Sequence, residues 1–131
     1  MTWYYNDKPF TADDVGDYVG FVYCIERLSD GKKYLGKKLF GAKRLVKKNG
    51  RKRRVYKTSD WESYFGSNAE LALDVQKEGP EAFRRTILHL CHSKGRMSYL
   101  EIKEQLACDA LLREDYYNSF VGCKIHARHV K

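Results

Sequence analysis

The sequence has little that would tie it to a membrane, a secretory route or a metal cluster. No apolar run approaches the roughly 20 residues that span a bilayer, and the opening residues MTWYYNDKPF lack a leader's basic and apolar regions. A cytoplasmic protein with no membrane partner is expected. Only four cysteines occur, Cys24, Cys91, Cys108 and Cys123. They lie far apart with no C-x-x-C pair, which favours reduced thiols over disulfides or a zinc site. Four histidines are present and none precedes His89. Cys91-His92 and the tail pair His126 and His129 have metal-ligating chemistry, but scattered histidines are the simpler reading.

Acidic residues are missing altogether between Gly31 and Ser59. That stretch carries Lys32, Lys33, Lys37, Lys38, Lys43, Arg44, Lys47, Lys48, Arg51, Lys52, Arg53, Arg54 and Lys57, 13 of the 25 basic residues. The net charge of +8 is therefore a local feature, since 12 basic residues face 17 acidic ones elsewhere. A concentrated basic stripe on a folded domain is the footprint of a nucleic-acid partner, because neutralised phosphates release counterions. Its residues from Lys37 to Lys57 are the expected DNA contacts.

With 43% hydrophobic residues, 32% charged residues and no low-complexity tract, one ordered domain over residues 1–131 is expected. Residues 1–17 read as an irregular aromatic arm with one helical turn after Thr11. Residues 18–28 are apolar on both alternating sets, the mark of a central strand covered on both faces. Ser29-Asp30-Gly31 turns into a second strand over residues 33–39. Any even hairpin loop puts Tyr23 and Tyr34 on one face, because side chains alternate with period two. A loop centred on Leu28-Ser29 would set them directly opposite, and that register is expected.

Residues 41–59, with Asn49-Gly50 at their middle, read as a basic hairpin or insertion, with a short helix over residues 42–48 as the alternative. A capping box of Ser67 and Glu70 opens a helix that ends at Gly79-Pro80. A strand over residues 83–90 and a core helix over residues 94–113 follow. The helix carries apolar residues on two stripes. Glu101 and Glu104 on it need a cation or a metal if buried.

Phe21-Val22-Tyr23, ten residues, Tyr34-Leu35-Gly36, then Arg44, a glutamate on a late helix and a following asparagine resemble the GIY-YIG nuclease superfamily. DWESYFGSN, YLEIKEQ and YYN resemble its small phage, homing-endonuclease-like members, and the resemblance covers about residues 18–125. It implies an α+β fold with a three-stranded antiparallel sheet flanked by helices. It also implies a DNA endonuclease dependent on Mg²⁺ or Mn²⁺, working in a bacterial host cell. Tyr23, Tyr34, Arg44, Glu101 and Asn118 match the family's site positions, with Glu101 as the metal-holding residue. Glu101 is preferred to Glu104 because Tyr99-Leu100-Glu101 is closer to the family pattern. Phe21 and Leu35 replace a glycine and an isoleucine at packing positions. The basic hairpin stands where many members carry the arginine on a helix, so Arg51, Arg53, Arg54 and Lys57 rival Arg44. The histidine of some members is missing, and Tyr56, Tyr64 or a motif tyrosine would take its role.

These residue types suit phosphodiester hydrolysis. One carboxylate can hold a largely hydrated Mg²⁺, and an arginine fork matches non-bridging phosphate oxygens. A tyrosine near Lys33, Lys37 or Lys38 would have a lowered pKa and serve as a base. Ser67 and Asn68, at a helix start beside Gly66, would meet a phosphate. A non-catalytic nucleic-acid-binding module and an RNA-directed nuclease are the alternatives. The chain leaves no room for a separate DNA-reading domain, so it works as a monomer of low specificity, through its hairpin, or as a homodimer.

Overall fold

The strand expected at residues 18–28 forms as β3 (Gly20–Arg27) and lies inside a five-stranded sheet. The structure, a computed structural model, describes residues 2–119, 121 and 127–129. Cys123, His126 and the His129 side chain, weighed above as thiol and metal ligands, lie outside the described residues. β3 pairs antiparallel with β4 (Lys33–Leu39) on one side and with β7 (Phe83–Cys91) on the other. Opposite Val22 and Tyr23 the β7 register slips past Leu88, a bulge beside the first motif tyrosine.

The sheet is larger than the expected three strands. The amino-terminal arm is not irregular: it forms β1 (Trp3–Tyr5) and β2 (Lys8–Phe10), and the sheet order is β2-β1-β7-β3-β4. β1 runs parallel to β7. The signal is Asn6-Asp7, both at positive φ (51° and 63°), a two-residue turn that Asn and Asp tolerate. The helical turn expected after Thr11 is present at Ala12–Asp14. Trp3 then fills the core, donating its indole N–H to Trp61 O at 2.8 Å and meeting Phe21 and Tyr23 edge-on.

The basic stretch is a hairpin, not a helix. β5 (Gly41–Lys48) and β6 (Arg51–Thr58) make a separate two-stranded sheet turning on Asn49-Gly50, both at positive φ. Every residue of β6 is exposed.

Helix α1 (Ala69–Glu78) is capped by Asn68, whose side chain accepts the Leu71 N–H at 3.0 Å, and not by Ser67. Helix α2 (Lys94–Ala107) is shorter than expected, because Asp109 adopts a left-handed conformation (φ 53°) and a 3-10 turn follows at Ala110–Leu112. It is not a core helix either. Only Met97 and Gln105 are buried on it, while Leu106 is 59% exposed. A single small sheet covers one stripe of a helix, and the second apolar stripe faces out. The core lies on both faces of β3: Phe21, Tyr23 and Ile25 join Trp3, Phe40, Trp61 and Leu71 on one, and Val22 packs with Cys91 and Met97 under α2 on the other. Among the described residues no helix is long and apolar enough to cross a membrane.

Candidate active site

Arg27 pairs with Lys32 just before β4, donating its N–H to Lys32 O at 2.8 Å, and four residues, Leu28 to Gly31, turn between them, so the parity expectation holds and the expected register does not. Tyr23 lies opposite Gly36, and Tyr34 opposite Ile25. The tyrosines are diagonal neighbours on one face, with ring centroids 6.2 Å apart. A charge clamp sets this register. The Arg27 guanidinium holds the Asp30 carboxylate through Nε (3.0 Å) and Nη2 (2.5 Å), and Asp30 also accepts the Lys32 N–H at 3.0 Å. Arg27 reaches Asp74 and Glu78 on α1 as well, which anchors the loop to a second element. A wider loop would break this set. Gly36 makes the diagonal contact possible, because a Cβ there would stand 2.6 Å from Tyr23 Cζ and 3.1 Å from Tyr34 Cε2.

β4 is the edge strand of the sheet, and a cavity of about 230 Å³ opens there. Tyr34, Lys37, Ser67, Asn68, Glu101, Gln105 and Asn118 are among the residues that line it. The chain after α2 covers the edge: Lys33 N–H donates to Asp115 O (2.9 Å), and Tyr117 N–H to Lys33 O (2.7 Å). Buried Asn118 continues this pairing with its side chain. Its Oδ1 accepts the Leu35 N–H at 3.0 Å, and its Nδ2 donates to Leu35 O at 2.8 Å. Asn118, matched by resemblance to a site position, therefore has its amide engaged in holding β4. The Asn68 amide is similarly engaged, capping α1 through Oδ1 and donating Nδ2–H to Tyr117 O at 3.0 Å. Ser67 instead meets Tyr34, hydroxyl to hydroxyl, at 3.1 Å.

Electrostatics link the tyrosines to Glu101. Burial, then the neighbouring Tyr64 and Tyr34, push the Tyr23 hydroxyl well above its ordinary value of 10, and the Glu101 charge pushes the same way. Burial also raises Tyr34, opposed by its bond to Ser67, and Glu101 again adds to the rise. The expected lysine-lowered tyrosine is thus reversed, because Tyr23 is 1% exposed and sits among rings: Tyr64 lies edge-on to it with centroids 6.0 Å apart. Lys38 is drawn off to Asp60 at 2.6 Å and to the Tyr64 ring face at 4.1 Å. Lys33 pairs with Glu26 at 3.4 Å.

The Glu101 side chain is 17% exposed, and its carboxyl is raised by burial, partly opposed by Lys37 with Nζ at 4.0 Å. Beside it in the cavity wall Gln105 is 5% exposed and, among the described residues, its Oε1 has no hydrogen-bond partner, while its Nε2 donates to Leu35 O at 3.3 Å. An under-neutralised carboxylate and an orphaned amide oxygen one helical turn apart fit a hard, hydrated cation. Among the described residues no three His, Cys, Asp or Glu side chains converge, so such an ion would rest on one protein carboxylate. Glu104, the alternative considered for this place, is bonded to His89 at 2.7 Å.

The basic residues divide among three places. Arg44 lines a neighbouring cleft of about 570 Å³ with Lys37, Lys38, Lys57 and Lys94, and not the Glu101 cavity. Lys48, Arg51, Lys52 and Arg53 surround the hairpin tip, and Lys43, Lys47 and Arg54 lie along its exposed strands. None of Arg44, Arg51, Arg53, Arg54 and Lys57 lines the cavity of Tyr34 and Glu101, whose one basic side chain among the described residues is Lys37. Lys37 donates to Ser98 Oγ at 2.8 Å. Tyr56, one suggested stand-in for the missing histidine, lies exposed against Gly41, and Tyr64, the other, packs against Tyr23. Sequence reasoning set Gln105 beside Glu101 on the helix without giving it a role, and missed Ser98. The readable signal was their spacing with Glu101, since positions 98, 101 and 105 fall on one helical stripe.

Neither the curated proteins nor the solved structures give a match. The family model described as "Putative endonuclease segE, GIY-YIG domain" matches residues 3–121, which include both motif tyrosines, the hairpin, Glu101 and Asn118. The chain therefore belongs to the GIY-YIG endonuclease family.

Proposed function

We propose that this protein is a metal-dependent DNA endonuclease that hydrolyses phosphodiester bonds in the cavity at the β4 edge. The observation that carries the reading is the grouping of Tyr34, Lys37 and Glu101 in one cavity, with Tyr23 against the Tyr34 ring. Mg²⁺ or Mn²⁺ held by Glu101 would act as a Lewis acid toward a phosphate oxygen and its attacking water. Lys37, steadied by Ser98, neutralises charge on a non-bridging oxygen. Tyr34, whose hydroxyl is oriented by Ser67, holds the attacking water in line with the leaving oxygen. Tyr23 keeps its proton, braces the Tyr34 ring and offers a donor, not a base, so the attacking water, acidified by the cation that Glu101 would hold, gives its proton to solvent. Asn118 acts at one remove as a positioning residue, by fixing the backbone of Leu35 between Tyr34 and Lys37's strand neighbour Gly36.

Nicking of supercoiled plasmid by the pure protein with Mg²⁺ or Mn²⁺ tests this. Cleavage is expected from the wild type, and Glu101→Ala should abolish it while leaving DNA binding intact. No cleavage of plasmid, linear duplex or RNA with either ion, with binding retained, would leave a non-catalytic nucleic-acid-binding module. Cleavage of RNA alone would transfer the activity to that substrate.

A further inference from the structure

We propose that the cleft between the basic hairpin and the first turns of α2 is a second phosphate-binding site, taking the strand that flanks the bond being cut. Strand β4 forms its floor with Lys37, Lys38 and Leu39. Gly41, Ala42, Arg44, Lys57 and Thr58 of the hairpin make one wall, and Lys94, Met97 and Ser98 of α2 the other. It is larger than the cavity of Glu101, about 570 Å³ against about 230 Å³, and falls within the range of about 300–1,000 Å³ of ligand-sized pockets.

Three features point to a phosphodiester ligand. The first is charge compensated only in part, since of its cations Lys37 and Lys38 alone have carboxylate partners among the described residues, Glu101 and Asp60. Five cationic side chains and no carboxylate line the cleft, and among the described residues Arg44, Lys57 and Lys94 make no ion pair. Cations gathered in this way repel one another until an anion enters. The second is the placement of Lys94. It is the first residue of α2, whose first turn contains no acid. That helix end carries partial positive charge, and its Ser93 cap takes only the Arg96 N–H, at 3.1 Å, so a lysine there is electrostatically disfavoured unless an anion sits beside it. The third is continuity. Lys37 lines both cavities, so a backbone with one phosphate at Glu101 meets the cleft at the next contact without leaving a basic surface. Uncharged Leu39, Ala42 and Met97 supply a surface for sugar or base between the charged walls. The hairpin-tip group of Lys48, Arg51, Lys52 and Arg53 has neither an opposing wall nor a residue shared with the Glu101 cavity.

This proposal takes its ligand class from the nuclease reading, but binding does not require cleavage. The full chain carrying Glu101→Gln is titrated against a fluorescein-labelled DNA duplex by anisotropy, over a series of NaCl concentrations. Each lost phosphate contact lowers the slope of log K against log salt by about 0.9 on duplex DNA. Adding Lys57→Ala and Lys94→Ala should lower the slope by about 1–2 and weaken binding at every salt concentration. Lys77→Ala with Lys103→Ala, equal in charge and outside the cleft, should change the slope little. Matching melting temperatures keep the comparison on binding, since all four lysines are exposed. A wild-type slope in the cleft variant, or an equal fall in the control pair, overturns the proposal in favour of diffuse charge. If the wild type cleaves but the slope is unmoved, the cleft fails and the nuclease reading stands. If the slope falls selectively but nothing is cleaved, the nuclease reading fails and the cleft stands.

Discussion

Replacing Asn118 by aspartate separates a positioning role from a direct one, because the change keeps shape but exchanges the NH2 donor for an acceptor oxygen that is charged when ionised. The carboxylate of Asn118→Asp still accepts the Leu35 N–H but cannot donate to Leu35 O, which the wild-type amide reaches at 2.8 Å. It would face that carbonyl from a buried position, in a cavity also lined by Glu101. An unsatisfied buried polar group costs about 1–3 kcal/mol, and the added repulsion brings the loss at neutral pH to about 2–4 kcal/mol. At about 1.4 kcal/mol per pKa unit, this raises the carboxyl from about 3.9 to between about 5.3 and 6.8 in the folded protein. The folded state then binds more protons than the unfolded state across that window, so stability falls as pH rises through it. Below the window the protonated acid donates to Leu35 O again. Circular-dichroism melts of variant and wild type should differ by on the order of 10 °C near pH 8 and by about half as much near pH 5. A variant as stable as wild type near pH 8 but unable to cleave would refute the reasoning and put Asn118 in direct contact with substrate. A gap that does not change with pH would refute the hydrogen-bond account itself.

Three further changes probe the same edge. Gly36→Ala places a Cβ 2.6 Å from Tyr23 Cζ, so overpacking should lower stability by about 1–3 kcal/mol and disrupt cleavage; an unchanged melting temperature would show that the two rings do not depend on that gap. Glu101→Gln removes a carboxyl raised by burial. Such a group costs stability progressively as pH rises from its unfolded value of about 4.3 through its higher folded value, so the variant's melting temperature should fall less than wild type's as pH rises above about 4, and a steeper fall would contradict the burial. Gln105→Met removes the orphaned Oε1, while Leu35 O keeps its bond from Asn118. Its melt should stay close to wild type while Mn²⁺ affinity, read by electron paramagnetic resonance, drops about 10–100-fold; unchanged affinity would remove Gln105 from the cation's surroundings.

Local chemistry made much of this fold readable. The strand over residues 33–39 appears with those limits as β4, and Asn49-Gly50 turns the basic hairpin. Elements that depend on distant partners were harder to read. β1 is only three residues long; Asn6-Asp7 marks its turn into β2, but its place in the sheet depends on the edge that β7 offers. The reach of α2 was overestimated because apolar stripes record what a helix can bury, while the extent of the sheet beneath it decides what it does bury.

The site divides along the same line. By itself the sequence determined that Tyr23 and Tyr34 share a face if the loop between their strands is even, since the strand period is two, and the structure supplied the even loop. It also determined that positive charge is concentrated between Gly31 and Ser59. Only the tertiary structure decided the offset between the tyrosines, because the tie of Arg27 to Asp74 and Glu78 on α1 and the bare face of Gly36 under both rings fix the register. Only it separated Arg44 from Glu101 and put Lys37 beside the carboxylate, ten residues along the chain being no measure of distance once β4 ends and a hairpin turns away. The burial that keeps Tyr23 protonated likewise comes from Trp3, Tyr64 and Phe21, residues remote in sequence or on alternate strand positions that meet only when the sheet closes.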